Sequence, residues 1–68
     1  MQKKSNASDL NFDNYETSWT KVQDFENQGK PKSALEEVEL IILQARKETN
    51  SPQLVKALLH KFKYQMVL

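Results

Sequence analysis

PKSALEEVELIILQARKE, residues 31–48, decides the fold. Ala34, Leu35, Val38, Ile41, Ile42 and Ala45 recur at three- and four-residue intervals, the spacing that gathers side chains on one face of an α-helix. Pro31 suits a first helical position, where its missing N–H removes no hydrogen bond. Ser33 with Glu36 offers a capping box slightly later. Arg46 and Lys47 suit the negative end of the helix dipole, and Glu36, Glu37 and Glu39 lean toward the positive end. The pattern predicts a helix from Pro31 to about Glu48. Leu40 and Leu43 fall on the side opposite the stripe.

The same period extends in both directions. Upstream, Tyr15, Trp19, Val22 and Phe25 share one arc and almost every other position is polar. This predicts a helix from about Asn14 to Gln28, capped by Asp13 with Glu16 three residues later. Gly29, the only glycine, ends it by taking the left-handed conformation. Downstream, Thr49-Asn50-Ser51-Pro52 is a break, with Ser51 as N-cap and Pro52 as first helical residue. A third helix is expected from Pro52 to about Met66. Its main face is expected to be Leu54, Val55, Leu58, Leu59, Phe62 and Met66. Lys56, His60 and Lys63 form a polar face, and Ala57, Tyr64 and Leu68 a thin third strip.

Short connections make successive helices antiparallel neighbours. The expected architecture is all-α: a helical hairpin plus a third helix over residues 13–68. Ahead of it, residues 1–12 read as a disordered leader or tether, polar and without a buried-face period. Asn6-Ala7-Ser8 matches a glycosylation triplet, a pattern that recurs by chance.

Helices 2 and 3 each carry a main stripe plus an extra apolar strip. A sealed three-helix bundle needs only one stripe per helix. Inner helices of a stacked array touch neighbours on more than one side. The expectation is therefore a helical-repeat-like module, a piece of a larger protein, whose chain stops at the apolar Met66-Val67-Leu68. Its interaction surface is expected at Leu40, Leu43, Ala57, Tyr64 and Leu68, facing the following helices of a parent protein. Self-association through the same strips is a variant. The competing reading is ordinary exposed leucines on a closed domain.

Ten basic and nine acidic residues give a net charge of +1, too little for a nucleic-acid binder. The charge is uneven. Residues 49–68 hold Lys56, Lys61 and Lys63 and no acid, which makes +3. The longest apolar run, Leu40 to Leu43, is far short of the roughly 20 residues of a membrane span. No secretory signal is visible at Met1. With no Cys, one His and one Gly, the chain offers no thiolate or all-histidine metal site and no glycine-rich phosphate loop. Nucleophilic catalysis needs a Ser or Cys beside an oriented base, and His60 lies on a lysine-rich helix face. No catalytic residue, metal ligand, cofactor or small-molecule ligand is expected.

The stretch from Tyr15 to Tyr64 resembles the amino-terminal helical, tetratricopeptide-like region of alpha-2-macroglobulin family proteins from Bacteroidetes-type bacteria. Trp19, the Gly29-x-Pro31-Lys32-Ser33-Ala34-Leu35 turn and Pro52-Gln53-Leu54-x-Lys56-Ala57-Leu58 carry the likeness. The Trp19 to Ala34 order does not meet the standard tetratricopeptide spacing. The resemblance implies an exported parent protein, periplasmic or outer-membrane-associated, that traps proteases. Neither a bait region nor a thioester Cys-x-x-Gln motif lies in these residues, so any inhibition would belong to the parent. The alternative is a stand-alone small helical regulator that binds a partner helix or nucleic acid.

Overall fold

A computed structural model describes the backbone over residues 7–68 and side chains over residues 15–68. It contains three helices, α1 (Ala7–Asn27), α2 (Pro31–Lys47) and α3 (Ser51–Val67). The all-α expectation holds. α2 packs extensively against both neighbours, while α1 and α3 approach each other only narrowly and meet mainly through long side chains.

α1 starts earlier than its capping signals indicate. The helix is described from Ala7, which places Asp13 inside it and not at its N-cap. The segment ASDLNFD contains no Pro or Gly, so nothing in it halts a helix growing toward the N-terminus. The rest of the expected leader, with Asn6 of the glycosylation triplet, lies outside the described residues.

Both corners are built alike. At the end of α1, the Lys30 N–H donates to the Phe25 carbonyl at 2.8 Å and the Gly29 N–H to that of Glu26 at 3.0 Å. At the end of α2, the Asn50 N–H donates to the Ala45 carbonyl at 2.8 Å and the Thr49 N–H to that of Arg46 at 3.2 Å. This is the Schellman pattern, a six-residue bond enclosing a four-residue one, which satisfies the last carbonyls of a helix. It needs one left-handed residue. Gly29 supplies it at φ +70°, and Thr49 takes the same place at φ +54°. A β-branched residue is strained there.

The helix starts differ in detail from expectation. α2 begins at Pro31 after Lys30, which makes no side-chain cap bond, and its first turn holds no acid. Glu36 and its neighbours fall later, beyond the reach of the helix terminus. α3 is capped by Asn50, whose side chain accepts the Gln53 N–H at 3.3 Å, and Ser51 is already helical.

The core is wholly apolar among the described residues, apart from tyrosine hydroxyls at its rim. α1 contributes Tyr15 and Val22, with Trp19 and Phe25 half-buried. α2 contributes Ala34, Val38, Ile41, Ile42 and Ala45, as its stripe foretells. α3 departs from expectation, because its buried residues are Ala57 and Tyr64. The strip read as secondary is the one that packs. Of the face read as primary, Leu54 and Leu58 are half-buried, and Val55, Leu59, Phe62 and Met66 are exposed.

The physical reason lies in side-chain size and hydrogen bonding. α3 is apolar on most of its circumference, so hydrophobicity alone does not choose its orientation. Ala57 has no accessible surface, and it faces a helix that presents Ala34 and Ala45, also fully buried. Small residues at a contact let helix axes approach closely. Tyr64 can be buried because its hydroxyl reaches an acceptor on α1.

Candidate functional site

Polar and aromatic side chains span the gap between α1 and α3. The Tyr64 hydroxyl donates to Glu26 Oε1 at 2.6 Å, and Lys63 Nζ lies 3.0 Å from the same oxygen. At the other end of α1, the Tyr15 hydroxyl donates to Glu48 Oε1 of α2 at 2.7 Å. Trp19 Nε1–H donates to Gln53 Oε1 at 2.7 Å. The Trp19 ring lies 4.6 Å from the His60 ring, and Lys56 Nζ stands 4.4 Å from the Trp19 centroid, a cation–π contact. Lys61 pairs with Glu39 of α2 at 3.6 Å.

These contacts move proton affinities in opposite directions. Burial, and then the bond to Glu48, push the Tyr15 hydroxyl up to about 12. Burial and then Glu26 raise Tyr64 in the same way. The Tyr64 hydrogen bond, followed by Lys63, holds the Glu26 carboxyl below its ordinary value. The Tyr15 hydrogen bond and then Gln44 do so for Glu48. Each pair joins a neutral phenol to a carboxylate. In each, the shifts follow from burial of the phenol and from the hydrogen bond that joins the two groups.

An open groove of about 500 Å³ runs between α1 and α3, lined by Tyr15, Glu16, Trp19, Thr20, Gln23, Gln53 and Lys56. Its charged groups are one carboxylate and one ammonium. His60 Nδ1–H donates to the backbone carbonyl of Lys56 at 2.8 Å, one turn back. No group of three His, Cys, Asp or Glu side chains among the described residues could hold a metal ion. No described helix is long and apolar enough to cross a membrane.

The feature that departs most from an ordinary surface is the outer face of α3. Val55 (56 %), Leu59 (64 %), Phe62 (60 %) and Met66 (85 %) are exposed in one row. Their spacing of four, three and four residues is the seam pattern of helices that pack side by side. Glu39 reaches α3 through Lys61, and Leu43, one turn after Glu39, lies on the same side of α2. Leu43 is 64 % exposed and widens the apolar surface on that edge.

Of the five residues expected to form an interaction surface, Leu40, Leu43 and Leu68 are exposed. Ala57 and Tyr64 are buried and belong to the core, so they offer nothing to a partner. The row from Val55 to Met66, first read as core, is exposed instead. Its seam spacing was visible in the sequence. What the sequence lacked was a sign of which side of α3 faces α2. No family model, curated protein or solved structure matches the chain.

Proposed function

We propose that this chain is a non-catalytic helical packing module whose working surface is the outer face of α3, which takes a further helix. The observation that carries the reading is the unbroken exposed row of Val55, Leu59, Phe62 and Met66 on a chain of 68 residues. Single exposed apolar residues are ordinary on any surface, whereas contiguous rows mark places where another molecule packs. Half-buried Leu58 joins the row to the core, so an added helix would continue the α2–α3 packing outward. Stacked helical arrays grow in this way, each new element covering what the last left open.

A library of 20-residue amphipathic helices, selected for binding to the chain and mapped by amide NMR shifts, tests this. The expected result is a set of shifts at Val55, Leu59, Phe62 and Met66. Shifts confined to the groove around Trp19, or no binders at all, would overturn it.

A finer placement, in the amino-terminal helical region of an exported alpha-2-macroglobulin-like protein, is supported by the Pro31–Leu35 and Pro52–Leu58 motifs. The native reading frame tests it. A secretory signal upstream and macroglobulin domains downstream are expected. A frame without them removes this placement and leaves the packing reading standing.

A further inference from the structure

If the outer face of α3 receives a helix, the charges beside the row constrain which helix it is, and this inference rests on the reading above. In seam notation Leu59 and Met66 occupy the a positions and Val55 and Phe62 the d positions. Lys56 and Lys63 then both fall at e, directly beside the row, and Leu58 and Gln65 fall at g. The e and g positions set partner choice and orientation when helices pair. α3 carries no acidic residue to offset them. Lys56 has no carboxylate partner among the described residues and rests on the Trp19 ring. Lys63 is paired with Glu26, but its side chain is 53 % exposed, and ion pairs at such sites are weak and easily exchanged.

We infer that the occupant is an amphipathic helix from another protein or segment, with an apolar row bordered by Asp or Glu. Its carboxylates would meet Lys56 and Lys63 along one edge, and its apolar residues would cover Val55, Leu59, Phe62 and Met66. A second copy of this chain fits less well. Antiparallel pairing of α3 with itself centres between His60 and Lys61 and brings e beside e. Lys56 of one copy would then stand near Lys63 of the other, and like charges so placed repel.

Two stapled helical peptides with the same apolar row test the inference, one with Glu and one with Lys at the flanking positions. Binding is read by fluorescence anisotropy at low and high salt, and sedimentation equilibrium reports the state of the chain alone. The Glu peptide is expected to bind about tenfold tighter at low salt, with the ratio shrinking as salt rises. The Phe62→Glu variant should bind neither peptide at unchanged helical ellipticity, while the chain alone stays monomeric. Equal binding of both peptides overturns the acidic partner but leaves the docking face intact. Binding of neither overturns the docking face itself. A dimer that Phe62→Glu dissolves makes a second copy the occupant and overturns the inference.

Discussion

Enlarging a small residue on α3 should harm this protein more than truncating its large ones. Ala57 has no accessible surface, so Ala57→Leu forces three extra carbon atoms between α2 and α3. Overpacking of this kind costs about 1–3 kcal/mol. Leu59 is 64 % exposed, so only about a third of its side chain is withdrawn from water. Full burial of a leucine stabilises by ~1.5–3 kcal/mol, so Leu59→Ala should cost roughly 0.5–1 kcal/mol, less the small gain from alanine's helix propensity. The same estimate holds for Val55. At ~0.05–0.15 kcal/mol per residue the whole chain has only about 3–10 kcal/mol to lose. Urea unfolding followed by ellipticity at 222 nm separates the cases. With a slope of about 1 kcal/mol per M for a small chain, Ala57→Leu should lower the midpoint by about 1–3 M and Leu59→Ala by under 1 M. A larger midpoint loss for Leu59→Ala than for Ala57→Leu would mean that the hydrophobic face of α3 is its inner face, and the orientation described above would be wrong.

Tyr64→Phe removes the hydroxyl that bonds Glu26 and should cost about 0.5–1.5 kcal/mol, read as a lower urea midpoint with an unchanged slope. Trp19→Ala should cost about 2 kcal/mol by the same assay, below the ~3–5 kcal/mol of a fully buried ring, because Trp19 is only half-buried. Thr49→Gly should raise the thermal midpoint, since Thr49 holds φ +54°, whereas Gly29→Ala should lower it by backbone strain alone, because a Cβ at Gly29 meets nothing within 4 Å. Stability should form a plateau against pH. The carboxyls of Glu26 and Glu48 are depressed in the folded chain, so their contribution is complete above the ordinary value of 4.5 and is lost as pH falls through the folded values. Tyr15 is raised, so its contribution is complete below 10.0 and is lost as pH climbs toward about 12. Thermal melts across that range check both edges, and Tyr15→Phe should shrink the alkaline one to the part that the raised Tyr64 carries.

The helices themselves were legible because their stripes are periodic and their breaks carry recognisable residues. Pro31 and Gly29 sit where the physics of helix ends places them. The stripe of α2 reads correctly because its other side is mostly polar, so one orientation hides far more apolar surface than any other. α3 gives no such contrast. Its two apolar arcs compete, and the outcome is set by three alanines drawing helices together and by a phenol finding a carboxylate on a different helix. Those are relations between segments far apart in the chain, and a periodicity within one segment does not contain them. The start of α1 was misplaced for a simpler reason. Asp13 with Glu16 has the form of a cap, but an N-cap preference cannot stop a helix whose preceding residues are also able to join it. The exposure of Leu40 and Leu43 was legible because they fall opposite the main stripe of α2, while that of Val55 to Met66 was hidden by the row's own resemblance to a core.

The two matched corners have a consequence for how this chain could change. Each turn is closed by main-chain amides and carbonyls, so the route around the first one is indifferent to what Gln28 or Lys30 happen to be. Lengthening a turn is another matter. One added residue at 29 or 49 would rotate the next helix by about 100° and shift it by ~1.5 Å, parting Tyr15 from Glu48 or Tyr64 from Glu26. Substitutions at Gln28 or Lys30 should accumulate freely, and insertions should not.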